Sequence, residues 1–221
     1  MSKDLNGETI MNTSMKKRQS GFTLVEIAIV LVIIGLLLGG VLKGQEMITN
    51  AKIKKLESDF RGISAAFYTY QDRFNRIPGD DANAEDRFTG TWAAADNGNG
   101  NGLITGNWNS TTNSNESRLV WKHLRGAGLI SGPVNDQTES YAQPTHAYGG
   151  IIGLVGYNTP YAATMGRNRV WVCFGNIDGE VAQVLEARGD DSDVGTGSII
   201  SRNAAASYSL TTNYNPMCMR M

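Results

Sequence analysis

Glu26 is the only charged residue in the run FTLVEIAIVLVIIGLLLGGVL, residues 22–42. A carboxylate set among apolar side chains is costly to desolvate unless a cation or strong donors meet it. Near the start of a helix it also suits the positive end of the backbone dipole. Glu26 is therefore either a tolerated acid at an interface or an acid held for a cationic partner. A second set of residues offers oxygen atoms. In ADNGNGNGLIT, residues 95–105, the amides of Asn97, Asn99 and Asn101 precede Gly102 and Ile104 with the spacing of the front half of a calcium loop. Amides stand where carboxylates belong, and the twelfth position is Trp108, so a Gly/Asn turn cluster is the stronger reading. Asp96 or Glu116 is near enough in sequence to contribute a carboxylate. Asp190, Asp191 and Asp193 in RGDDSDVGTGS form a similar calcium candidate.

Other reactive residues are sparse. His123 and His146 lack the spacing of a metal site, and Cys173 and Cys218 are the only cysteines. His123 reads as a helix-surface or packing residue. Nucleophile-elbow, P-loop and dinucleotide fingerprints are all missing, so enzymatic activity is not expected. Lys+Arg is 20 against Asp+Glu 21, a balance that does not suit an electrostatic nucleic-acid binder. Arg188-Gly189-Asp190 is three common residues and establishes no receptor binding.

The element that must carry Glu26 is membrane-length. As a helix, residues 22–42 extend roughly 31 Å, against a hydrocarbon core of about 30 Å. A buried core helix would not stay apolar on every face for so long. Lys16, Lys17 and Arg18 precede the run, which places its N-terminal end in the cytoplasm and exports the rest. A secretory signal peptide would have a shorter apolar core and a small-x-small cleavage site after it; here a glycine, Gly21, lies before the run.

Past Lys43 the pattern changes. Leu56, Phe60, Ile63, Phe67, Tyr70 and Phe74 recur at alternating steps of four and three, one face of an amphipathic helix. Lys52, Lys54, Lys55, Glu57, Asp59 and Arg61 lie mostly off that face. Pro78-Gly79 is the expected stop, giving one helix from Phe22 to about Arg76, roughly 80 Å long.

The stretch GFTLVEIAIVLVIIGLLLGG resembles the N-terminus of type IV prepilins and of the related pseudopilins of type II secretion. The resemblance implies cleavage by a membrane aspartyl peptidase between Gly21 and Phe22, followed by N-methylation of Phe22. It makes Glu26 the acid that meets the Phe22 amine of a neighbouring subunit in a staggered bundle, setting the axial register. The strong likeness is confined to this stretch, with weaker similarity through residue 81. Met15 opens a short basic leader, MKKRQSG; Met1, Met11 and Met15 are alternative starts, and residues 1–14 should be absent from the mature protein in every case. Gly35, Gly39, Gly40 and Gly44 allow close helix approach. Where many pilins have a proline, this chain has none before Pro78, so a local unwinding at Gly39–Gly44 is the expected substitute.

The implied layout is a leader at 1–21, the transmembrane and assembly half of the helix at 22–42, its amphipathic half at 43–77, and a loop-rich exported domain at 78–221. The fold class is α+β: a pilin-like long N-terminal helix packed against a small antiparallel sheet. Residues 80–118 read as a long loop, 117–132 as a short helix ended by Gly126 or Gly128, and 181–188 as another. Strand-like segments lie at 150–155, 169–174, 198–201 and 206–210. In an exported domain Cys173 and Cys218 can bridge and pin the tail, which resembles the C-terminal disulfide loop of many pilins; two free thiols are the alternative.

The function implied is a structural subunit of a type IV pilus, serving adhesion, twitching motility or DNA uptake. A type II secretion pseudopilin is the alternative, and a membrane-anchored extracytoplasmic binding protein a weaker one. The implied partners are copies of itself and other pilin subunits, the prepilin peptidase/methyltransferase, an inner-membrane assembly platform, and the lipid bilayer before assembly. No cofactor is required, with calcium the one candidate. The precursor belongs in the inner membrane with its N-terminus cytoplasmic, and the mature subunit in an extracellular filament or a periplasmic pseudopilus.

Overall fold

A computed structural model describes residues 21, 23–88, 90, 92–135, 138–156, 169–201 and 208–221. The chain divides into two compact units, Met1–Met47 and Ile48–Met221. Phe22, the basic leader and residues 206–207 of the last expected strand lie outside the described residues.

Helix α1, Leu24–Phe74, is an uninterrupted α-helix of 51 residues. The expected unwinding at Gly39–Gly44 does not occur. Each glycine costs the helix about 1 kcal/mol relative to alanine, but the residues between Gly35 and Gly44 are Leu and Val apart from Gly39, Gly40 and Lys43, and no proline removes a hydrogen bond from the ladder. In the first unit the helix keeps its apolar side chains in the open: Leu24 is 90% exposed and Leu36 73%. This part is long and apolar enough to cross a membrane.

Within the second unit the helix is amphipathic. Ile53, Leu56, Ile63, Ala66, Phe67 and Tyr70 are buried, and Phe60 and Phe74 pack against the same core at partial burial. Complete burial of a side chain such as Leu56 contributes about 1.5–3 kcal/mol. The helix stops at Phe74, short of Pro78, because Asn75 turns to φ 52°. Its N–H still reaches the Gln71 carbonyl at 2.7 Å, the left-handed cap that asparagine tolerates next best after glycine.

Four strands make an antiparallel sheet in the order β1-β2-β6-β4: β1 Ile152–Val155, β2 Trp171–Phe174, β4 Ile199–Ser201 and β6 Met217–Arg220. A separate pair, β3 Ile177–Asp178 and β5 Asn213–Tyr214, forms a two-stranded sheet. β2 is buried along its whole length because both faces are covered. Val172 and Phe174 point into the core that α1 shares, while Trp171 and Cys173 join a second cluster around Trp108, the alternation that the pleat imposes. Gly153 of β1 lies directly under Trp108. A Cβ there would come within 2.0 Å of the Trp108 carbonyl oxygen, so only glycine permits that approach.

Cys173 and Cys218 face each other across β2 and β6 and form a disulfide at a sequence separation of 45. For a loop of this size the chain-entropy model gives about 4 kcal/mol of stabilisation, at the upper end of what bridges deliver. The final strand is thus tied to the centre of the sheet.

The stretch read as a loop over 80–118 contains more structure than expected: α2, Ala84–Arg87, and a 3-10 turn at Ala94–Asp96. Helix α3 is Glu116–Gly126, and α4 is Gly179–Gly189. Gly128 at φ +70° follows the end of α3, and the Gly128 and Leu129 N–H groups close back onto the carbonyls of Arg125 and Leu124. Residues 208–210 are not a strand, which corrects that part of the expected 206–210 segment. The architecture is α+β, a long N-terminal helix followed by a small antiparallel sheet.

Candidate functional site

Glu26 sits in the first turn of α1, and its partner there is Thr23. The Thr23 N–H and hydroxyl donate to Glu26 Oε2 at 2.8 and 2.9 Å, and the Glu26 N–H donates to Thr23 Oγ1 at 3.3 Å. This is a capping box, in which the residue before the helix and the third residue within it satisfy each other's backbone donors. Thr23 is a residue that sequence reading passed over, although Thr-x-x-Glu before an apolar run is its standard signal. Among the described residues, the donors that hold the carboxylate at the helix start are neutral. Among the described residues no ion pair includes Glu26. Gly21 is exposed just ahead of the box; Phe22, the expected methylated terminus, lies outside the described residues.

Residues 16–42 match the family described as the prokaryotic N-terminal methylation motif. The N-terminal segment therefore carries that methylation motif. The solved structure of the major type IV pilin PilA1 from Clostridium difficile is similar over 78% of this chain and 96% of that one, at 12% identity and a TM-score of 0.37. At that level of likeness the fold rests on this chain's own coordinates. No curated protein matches.

The second unit buries charges against one another. Lys122 of α3 is fully buried and reaches Asp96 Oδ1 at 2.8 Å. Its ammonium also lies 4.7 Å from the ring centroids of Trp92 and Tyr141. The Tyr141 hydroxyl and the Ala93 N–H donate to the same Asp96 carboxylate. Burial alone would raise the Asp96 carboxyl, but Lys122 and these donors outweigh it and hold it below the usual range. Next to Lys122, His123 has both ring nitrogens occupied. The Gly79 N–H donates to Nδ1 at 2.9 Å, and Nε2 lies 2.7 Å from the Asp96 carbonyl oxygen. An accepting Nδ1 makes Nε2 the donor, so the ring is neutral. Burial drives its pKa down to about 4. His123 is therefore a packing residue, one of the two readings open from sequence. His146 is also internal, with Nε2 at 2.8 Å from the Gly175 carbonyl oxygen and Nδ1 accepting from the Tyr148 N–H.

The asparagine run is occupied by its own backbone. Asn97 Oδ1 accepts from the Glu85 N–H, Asn99 Oδ1 from Asn101, and Asn101 Oδ1 from Leu103. Two carboxylates clamp the loop from outside: Asp80 accepts from the Asn101 and Gly102 N–H groups, and Glu116 from Asn99 and Thr105. The side chains of Asn99 and Asn101 each close an Asx turn, which makes this stretch a turn cluster. Neither Asp80 nor Glu116 was singled out as a clamp from sequence, since nothing local marks which carboxylate of a polar loop turns inward.

The second acidic group is rearranged relative to expectation. Glu186, Asp190 and Asp191 can each place a carboxylate oxygen within 4.8 Å of the others. Asp193 is not in that group; its Oδ1 accepts from the Gly195 N–H. Glu186 was missed, and its i, i+4 spacing to Asp190 at the end of α4 is the signal that would have found it. Burial, and then the charges of Asp190, Asp191 and Asp193, push its pKa up to about 7, against the lowering effect of the Tyr208 hydroxyl.

Proposed function

We infer that this chain is a filament subunit of the type IV pilus class, made as a precursor anchored in the inner membrane with its N-terminus cytoplasmic. Cleavage between Gly21 and Phe22 frees the Phe22 amine, which is then methylated but stays basic. The mature helix leaves the bilayer and packs beside copies of itself. Its role is structural, in adhesion, twitching motility or DNA uptake. The leader is 1–21, the assembly segment 22–42, the amphipathic segment 43–77 and the exported domain 78–221. The peptidase/methyltransferase, the assembly platform and other pilin subunits are its partners in turn.

The observation that carries this reading is the conjunction at the helix start. A span of exposed Leu, Ile and Val begins with one carboxylate, held at the helix terminus by Thr23 and with no cation beside it among the described residues. Lipid covers such a surface before assembly, and identical helices cover it afterwards. Inside a bundle an unpaired carboxylate is strongly unfavourable, and the Phe22 amine of an adjacent copy is a cation at the matching depth.

Mass spectrometry of sheared surface filaments tests the reading. The expected result is a major component whose first peptide begins at methylated Phe22. Intact filaments lacking this chain, with a protein-secretion defect on its deletion, would instead support a type II secretion pseudopilin.

A further inference from the structure

Within the second unit, a cleft of about 410 Å³ opens between α1, the end of α4 and strands β4 and β6. Its buried and half-buried lining is apolar: Phe60 of α1, Leu185 of α4, Ile199 of β4 and Met219 of β6. Its more open lining is basic. Lys54 and Arg61 come from α1, Arg188 from α4 and Arg220 from β6, and Glu57 is the one acid among the described lining residues. Four cations against one carboxylate stand out in a chain whose net charge is −1. Glu57 does not neutralise them. It lies 3.7 Å from Arg61 and 3.8 Å from Arg188, both longer than a hydrogen bond. Arg188 also donates to Asn50 Oδ1 at 3.0 Å. The side chains of Lys54 and Arg220 have neither an ion pair nor a hydrogen bond among the described residues.

We propose that this cleft binds a small organic phosphate, a phosphate monoester on an aromatic or aliphatic body. Like charges gathered on one cleft repel one another, and an anion set among them relieves that cost. A phosphate monoester carries close to two negative charges near neutral pH and offers three acceptor oxygens, so it uses more of the positive surplus than a single carboxylate does. The guanidinium groups of Arg188 and Arg220 suit its oxygens in pairs, and the Lys54 ammonium acts as a point charge. The body of the ligand would bury Phe60, Leu185, Ile199 and Met219 further, which adds an apolar contribution that a bare anion lacks. The volume lies in the range of small-molecule sites. Because the cations come from α1, α4 and β6, one ligand would tie all three elements together. The site is independent of how residues 22–42 are used.

The test uses the full-length protein in a neutral detergent, titrated with phenyl phosphate and, separately, with inorganic phosphate. Phosphorus NMR line broadening reads both, with empty micelles as the blank. Phenyl phosphate should bind saturably with a Kd on the order of 1 mM, as ligand efficiency allows for so few atoms. Inorganic phosphate should bind about tenfold more weakly, because it has no body to cover the apolar lining. Lys54→Gln and Arg220→Gln each remove a cation without a partner, so they should leave Tm unchanged. Together they should weaken phenyl phosphate binding by about tenfold or more. Lys55→Gln is the control, since Lys55 pairs with Asp59 and does not line the cleft; it should bind as wild type does. Absence of saturable phenyl phosphate binding overturns the proposal, as does inorganic phosphate binding equally tightly. So does wild-type affinity in the double variant or, should that variant fail to fold, in both single ones. An equal loss in Lys55→Gln would show general charge attraction and also overturn it.

Discussion

Lys122 and Glu26 are both charges set among apolar neighbours, and the chain treats them in opposite ways. Lys122 has everything it needs within its own subunit: Asp96 at 2.8 Å, and the faces of Trp92 and Tyr141 around the ammonium. Glu26 has a hydroxyl and a backbone N–H from Thr23, and a surface of exposed aliphatic side chains beyond. The first arrangement is complete when the domain folds. In the proposed filament, the second is completed by a neighbouring helix that covers the apolar surface and supplies the positive charge. A region whose charges pair internally behaves as a folded unit; one whose carboxylate has, among the described residues, only neutral donors is where the proposed assembly would supply the counter-charge.

The sharpest way to break this contrast is at Lys122. Lys122→Met leaves Asp96 charged and buried, and should cost about 3–5 kcal/mol in chemical denaturation. The double variant Lys122→Met with Asp96→Leu removes both charges and should recover most of that loss. If the single variant is as stable as wild type, the pair is not the internal closure described here. No comparable change in domain stability is expected from Glu26→Val, because the hydrogen-bond partner of its carboxylate among the described residues is Thr23.

A smaller effect comes from His123. Its folded pKa, about 4, lies below the ordinary value of 6.5. The unfolded chain therefore takes up a proton below pH 6.5 that the folded chain refuses until about pH 4, and this contribution to stability falls as pH drops through that window. The slope is about 1.4 kcal/mol per pH unit. It is read as the difference between wild type and His123→Asn, so that the other titrating groups cancel. A difference that stays flat between pH 6.5 and 4 contradicts the neutral, doubly bonded ring.

Much of the fold was legible because long periodic signals survive context. The stripe from Leu56 to Phe74 and the uncharged run after Glu26 each repeat one physical demand over several turns, and both appear where expected. β2 was legible for the same reason, as a short run of buried apolar residues in RVWVCF. β6 was not: Met217-Cys218-Met219-Arg220 carries little strand preference, and its place is fixed by pairing with β2 and by the disulfide. The stop at Asn75 was masked by the louder Pro78-Gly79 signal. The inward-facing polar residues were the least legible. Lys122, Asp80, Glu116 and Glu186 look like any surface charge in sequence, and only the chain brought in from far away decides that they are enclosed. Thr23 stood in plain view within a capping-box pattern, but Glu26 beside it drew the whole functional reading.

In the proposed filament Glu26 finds its cation on another copy of the chain. Co-expression of wild type with a tagged Glu26→Val chain, followed by quantification of both in sheared filaments and in membranes, tests it most directly. The variant is expected to be processed and to accumulate in membranes while reaching filaments at a small fraction of its share. Equal representation of variant and wild type in the filaments would contradict it.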